Sequence, residues 1–308
     1  MTTPRWDAAA AGPIWPAGPP AGVDPIRAAV RGCLAAEVGR DLTAAESGGG
    51  RLDIGAIGTT AAHAVASPML ARAIADAGLV LGAARHVADP AALAADPGWR
   101  LAVVLSPWKQ AVAVQLTALS PAAVTTGVVD TVLRGPRGLL GVNTNSWAAQ
   151  VVLELLAAGR EPGRIVLLGA GASARSVALG LRRAWPGTEL VISARADAAA
   201  QELAAAAGAL AVPAAELTGL LDGQAPAILI NSTTWGETRE SETAPFAFSF
   251  DDLLAPGGAF FDLNNRLSDL QARALRAGCT VSSGTLMQRA THACRAALAR
   301  ETLTLEDA

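Results

Sequence analysis

The sequence predicts an α/β chain built around a parallel, doubly wound sheet. Three observations carry this reading. Short continuous apolar runs, at residues 101–105 and within the strand at 164–168 from Ile165, have the length and composition of strands buried on both faces. They alternate with segments of helical length, the pattern of strand–helix–strand units. One strand runs directly into Gly169-Ala170-Gly171-Ala172-Ser173-Ala174, a glycine turn that opens a helix.

Taken in order, residues 1–22 are rich in Ala, Gly and Pro and read as an irregular extension. Asp24-Pro25 opens a helix to about Leu42, with proline in the first turn, where its missing N–H costs nothing. Residues 46–50 read as a linker and residues 52–58 as a strand and loop. Ser67-Pro68-Met69 opens a helix to about Ala77. Residues 101–105 read as a buried parallel strand and 146–158 as a helix. Strands follow at 164–168, 190–193, 227–230 and 259–263. Helices are expected at 174–185, from about Leu267 and from about Leu286.

The length of 308 residues suits two domains, and 51% apolar residues supply a sizeable core. A formal charge of −3 provides no basic field, which argues against nucleic acid. No apolar run approaches the roughly 18–20 residues that span a bilayer, and the N-terminus has no apolar signal segment. Cys33, Cys279 and Cys294 are scattered, as are His63, His86 and His292, so neither a disulfide framework nor a metal site is expected. The expectation is a soluble cytoplasmic protein with a small-molecule substrate. A homodimer stays open.

The glycine turn has the residues of a dinucleotide site. Gly169 makes the turn, Gly171 lets the backbone approach a pyrophosphate, and Ala174 permits close packing of helix on strand. Backbone N–H groups of Ala170, Ala172 and Ser173 would face the phosphates. The next strand ends Ser193-Ala194-Arg195, where an NAD site would carry a carboxylate. Arg195 can pair with a 2′-phosphate, which favours NADP(H). Asp197 lies close by and keeps NAD open. Lys109 is the single lysine among 24 basic residues, just past the end of the strand at 101–105. In a composition that writes Arg almost everywhere, a surviving lysine marks a place where the ability to lose a proton matters.

Together these segments resemble the shikimate/quinate dehydrogenase family over roughly residues 52–305. The resemblance rests on His63 with Ser67-Pro68, Ser106-Pro107-Trp108-Lys109, Gly127-Val128-Val129-Asp130-Thr131, Gly141-Val142-Asn143-Thr144-Asn145, the Gly169 turn, Arg195, Asn231-Ser232-Thr233-Thr234-Trp235-Gly236 and Gly284-Thr285-Leu286-Met287, in that order. It implies a discontinuous α/β substrate domain, residues 51–145 plus 284–308, and an NADP-binding Rossmann domain at 146–283. The active site would lie in the cleft. Residues 1–50 would be an N-terminal extension with one helix. The implied chemistry is reversible hydride transfer between NADP(H) and a ring alcohol or ketone, with a lysine and an aspartate at the reacting oxygen. Lys109 matches that lysine. Ser232, Thr233, Thr234, Gly284 and Met287 would join the glycine turn at the cofactor. Ser67, Trp108, Asn265 and Thr291 would contact the substrate.

The departures from the family pattern are informative. Asn145 stands at the family aspartate and Asp130 at the neighbouring asparagine, as if exchanged. Asp130 is therefore expected to supply the carboxylate, with Asn145 beside it. Two polar family positions before the lysine are apolar here, Val103 and Leu105, and only Ser67 remains of two pocket serines. Each polar group left unpaired costs about 1–3 kcal/mol, so shikimate and quinate are expected to be poor substrates. Trp108 and Trp147 would form apolar walls, or belong to the domain core. The leading expectation is an NADP(H)-dependent oxidoreductase acting on a small cyclic ketone or imine, and the composition suggests specialised biosynthesis. The alternatives are a genuine shikimate/quinate dehydrogenase and a non-redox protein on the same fold.

Overall fold

A computed structural model describes residues 24–41, 50–116 and 118–304. The expected extension at 1–22 and linker residues 46–49 lie outside them, as does Leu42. The chain divides into two compact units. One comprises Asp24–Ala148 with the residues from Gln288 onward, and the other holds Ala149–Met287.

The first unit, which carries Lys109, opens with α1 (Pro25–Cys33), where the Asp24 carboxylate accepts the Arg27 N–H at 3.0 Å. A π-turn, Leu34–Val38, continues it to Gly39 at φ +66°. The left-handed glycine ends the helix before Leu42, earlier than expected. Then follow β1 (Arg51–Ile57), α2 (Ala61–Val65), α3 (Pro68–Asp76), β2 (Val80–His86), α4 (Pro90–Ala95), β3 (Leu101–Val104) and α5 (Lys109–Ala113). After these come β4 (Ala118–Leu119), α6 (Pro121–Thr126), β5 (Thr131–Gly135), β6 (Gly138–Val142) and α7 (Asn145–Ala157). The strand order is β2-β1-β3-β5-β6-β4. β3 runs parallel to β1 but antiparallel to β5, so this sheet is mixed. Its four buried residues report covered faces; they carry no information on the direction of the neighbours. Ile57, Trp99, Val104 and Val132 anchor the core on this sheet.

The structure packs α1 and its π-turn into this unit, where the sequence suggested a separate extension. Glu37 is buried; one carboxylate oxygen accepts the Ala122 N–H at 3.0 Å and the other the Trp147 indole N–H at 2.7 Å. Cys33 and Cys294, distant in the sequence, also meet here as buried free thiols that share a hydrogen bond. Sequence separation concealed a contact that folding makes. Substituting Glu37 by alanine orphans two buried donors and is expected to cost about 2 kcal/mol in a urea unfolding series. An unchanged midpoint would mean that the N-terminal helix adds nothing to the unit.

The second unit is a parallel sheet. It contains β7 (Arg164–Leu168), α8 (Ala172–Ala184), β8 (Glu189–Ser193), α9 (Asp197–Ala207), β9 (Leu210–Ala211), α10 (Leu217–Leu221), β10 (Ile228–Asn231), β11 (Ala259–Asp262), α11 (Asp269–Arg276) and β12 (Thr280–Ser283). The last helix, α12 (Gly284–Thr304), begins here and continues into the first unit. The order is β12-β11-β10-β7-β8-β9, and every neighbouring pair is parallel. The chain winds outward from β7 to β9, then returns to the other side of β7 with β10. That reversal opens a crevice at the carboxyl ends of β7 and β10. Trp235, Phe246, Phe248, Phe250 and Phe260 pack together in this unit's core. Among the described residues no helix is long and apolar enough to cross a membrane, and no group of three or more His, Cys, Asp or Glu side chains is placed to hold a metal.

Candidate functional site

A cavity of about 530 Å³ opens at the switch point of the parallel sheet. Gly169, Ala170, Gly171, Arg195, Ser232, Thr233 and Thr234 line it. Gly169 has φ +109°, and a Cβ there would lie 2.6 Å from Ser232 Oγ, so both backbone and space demand glycine. A Cβ at Gly171 would meet nothing within 4 Å. Its bare backbone borders open cavity at the start of α8, where the first N–H groups of a helix have no intrahelical acceptor. Ala172 and Ser173 lie in that first turn, and Ala174 is fully buried under it. This cradle fits a pyrophosphate, and the exposed Arg195 lines the same cavity.

Gly284 and Met287 do not line this cavity. Gly284 is glycine for a different reason: a Cβ there would sit 2.0 Å from the Leu263 carbonyl oxygen and 2.8 Å from Asn265 Oδ1. Met287 is buried in α12. The wall that sequence reasoning missed includes Trp235, Ser241, Thr243 and Phe246. Behind it, Asn231 orders the loop: its Oδ1 accepts from Thr233 N and Oγ1, and its Nδ2 donates to the Trp235 carbonyl and to Asp262 Oδ1. Burial pushes the Asp262 carboxyl up to about 6, against the donors around it. A polar residue ending a wholly buried strand was the available signal.

The lysine site is assembled in the other unit. Lys109 starts α5 and is 6% exposed. Its carbonyl accepts the Val129 N–H at 2.9 Å, which ties it to the segment carrying Asp130. Burial lowers the ammonium from its ordinary value, Asp130 pulls it back up, and Arg295 adds to the lowering. Asp130 itself is completely buried. It accepts hydrogen bonds from Thr131 Oγ1 at 2.6 Å, from Thr144 Oγ1, and from the Asn145 N–H at 2.7 Å at the start of α7. The Arg295 guanidinium lies 3.5 Å from the carboxylate, donates to the Asp130 carbonyl at 3.0 Å and to Thr131 Oγ1 at 3.0 Å.

Asp130 is expected to supply the carboxylate that keeps an anionic partner for Lys109. It acts on the lysine from a fully buried place, where three donors and a guanidinium hold it. Asn145 is 8% exposed, and its Oδ1 accepts from the buried Thr291 hydroxyl at 3.1 Å. Lys109, Asp130, Asn145 and Thr291 thus belong to one unit, linked through α5, β5, α7 and α12. Ser67 is buried at the start of α3, where its hydroxyl makes no cap. Trp108 is half-buried against the sheet core. Trp147 is no free wall: its ring fills the space a Cβ at Gly32 would need, at 2.6 Å, and its N–H is held by Glu37. Asn265 lies exposed in the second unit, beside Gly284. Arg295 and His292 were not foreseen.

No family model matches the chain. Individual proteins do. A shikimate dehydrogenase (NADP(+)) of Moorella thermoacetica is 34% identical over 197 residues, 61% of this chain and 65% of the relative. One from an Anaeromyxobacter species is 38% identical over 160 residues, 49% of this chain and 56% of the relative. The alignments therefore span less than two thirds of these relatives. The crystal structure of a Thermus thermophilus shikimate 5-dehydrogenase with NADP(H) and shikimate superposes with a TM-score of 0.67 at 28% identity, over 80% of this chain and 93% of that one. The chain is similar to these shikimate dehydrogenases in sequence and in fold. A quinate dehydrogenase of Corynebacterium glutamicum shares the fold, with a TM-score of 0.66 at 22% identity. In this chain Asp130 and Asn145 are both buried, and Val103, ahead of the lysine, is fully buried in β3.

Proposed function

We propose that the chain is an NADP(H)-dependent oxidoreductase acting on a small cyclic alcohol/ketone or imine, with Lys109 as the proton donor and acceptor. The observation that carries this is the single lysine, buried and shifted toward its neutral form, in the unit that also holds Asn145 and Thr291. NADP(H), held by its pyrophosphate on the glycine turn of Gly169 and Gly171, would supply or take the hydride. In the reducing direction the Lys109 ammonium gives its proton to the carbonyl oxygen or imine nitrogen as the C–H bond forms, and is reprotonated from water. Asn145 and Thr291 supply polar groups for orienting a substrate, while Ser67 offers an uncapped hydroxyl.

Divergence at the pocket favours a substrate other than shikimate. Asn145 carries no charge at the position where the family resemblance implies an aspartate. A ketone or imine intermediate of a specialised biosynthetic route fits this pattern. The second reading, a genuine shikimate dehydrogenase, is favoured by the 34% identity to the Moorella enzyme. The buried thiols accord with a reducing, cytoplasmic setting.

NADPH oxidation with 3-dehydroshikimate separates the readings. Turnover that depends on Lys109 supports the second. NADPH fluorescence enhancement without turnover supports the first and directs a screen of cyclic ketones and imines. A protein that binds no NADPH retires both. Arg195→Asp should weaken NADPH binding about 10–100-fold, the loss of a charge-assisted phosphate contact, and leave NADH binding little changed. Equal effects on both cofactors would remove Arg195 from the phosphate site.

A further inference from the structure

We propose that Arg295 is a positioning residue for Lys109: it neutralises the Asp130 carboxylate, so that the lysine works without a counter-charge of its own. This rests on the reading of Lys109 as the proton-transfer group. Arg295 lies on α12, 3% exposed, and directs its guanidinium into the heart of the unit. Its Nε donates to Thr131 Oγ1 at 3.0 Å, its Nη2 donates to the Asp130 carbonyl at 3.0 Å and lies 3.5 Å from Asp130 Oδ1. Its Nη1 lies 3.3 Å from His292 Nδ1.

The histidine fixes the direction of this last bond. Burial and the neighbouring guanidinium push the His292 ring down to about 3, so it is neutral and accepts from Arg295 through Nδ1. Arg295 is thereby held on all sides and cannot swing to another anion. The same guanidinium acts on the lysine. Asp130 attracts the Lys109 ammonium, Arg295 repels it, and burial disfavours its charge. The other titratable neighbours are Cys33 on α1 and Cys294 on α12, with Glu37 beyond; the thiols are buried and held to one another. A lone aspartate would trap the lysine as a salt-bridged cation. An aspartate already paired with arginine leaves it free to exchange its proton.

Because Lys109 is the single lysine, [ε-¹³C]lysine labelling gives one NMR resonance whose titration reports this residue directly and needs no substrate. The probes are the wild-type chain, Arg295→Gln, Asp130→Asn and the double variant. Arg295→Gln should raise the Lys109 midpoint by about one pH unit, the direction expected when a neighbouring cation is removed. Asp130→Asn should lower it by a similar amount, and the double variant should return near wild type. If Arg295→Gln does not fold, the step from Asp130→Asn to the double variant carries the same sign and the same test. A midpoint unmoved or lowered on losing Arg295 overturns the proposal. Failure of the proposed function would show separately, as a lysine that titrates as expected in a protein that turns nothing over.

Discussion

Asp130→Ala is expected to lower the unfolding free energy by about 3–5 kcal/mol, a large share of the stability of an ordinary domain. The cause is what remains behind. Arg295 would keep its charge in a 3%-exposed site with no carboxylate opposite, and the Thr131 and Thr144 hydroxyls and the Asn145 N–H would lose their acceptor. Asparagine is little better here, because one of its two polar atoms is an NH₂ facing donors. Urea unfolding of the single variants and of Asp130→Asn with Arg295→Gln measures this. The double variant should recover part of the loss, since removing both charges leaves no orphan. A loss below about 1 kcal/mol for Asp130→Ala would show that the pair is open to water.

Lys109→Met is expected to reduce turnover about 10²–10⁴-fold on whichever carbonyl or imine the screen identifies, the usual contribution of a positioned acid–base group. Retention of more than a tenth of the rate would exclude the lysine as proton donor. The same substitution should stabilise the fold at neutral pH. Burial lowers the folded ammonium below its ordinary value of 10.5, so the folded state prefers the neutral amine while the unfolded chain holds the proton. Below the folded value this costs stability in full. The cost fades as pH rises through the folded value toward 10.5. Methionine removes the charge, so its advantage should be greatest at neutral and acid pH and vanish in alkali. Loss of activity with gain of stability is the mark of a side chain kept for chemistry.

Much of the cofactor half was readable from the sequence. Gly169 announces a positive φ, the apolar runs at 165–168 and 259–261 announce strands covered on both faces, and Arg195 directly follows a strand. The strands of the first unit were harder. In the sequence β5 and β6 show only as motifs, and the apolar run of β3 suggests a parallel sheet although β5 runs against it. Burial pattern reports how many faces are covered, whereas strand direction depends on connections that a run of four residues does not contain.

The sequence by itself determined the local devices: the glycine turn, the proline-opened helices, the alternation that makes a doubly wound sheet, and the single lysine. These follow from backbone sterics and short-range periodicity, which each residue carries with it. Only the tertiary structure decided what surrounds that lysine. It joins Asp130 to Arg295 across 165 residues and Asn145 to Thr291 across 146, and it wedges Trp147 against the helix of Glu37 across 110. The physical reason is that a buried charge needs a partner wherever folding brings one, and no spacing in the chain encodes which partner that will be.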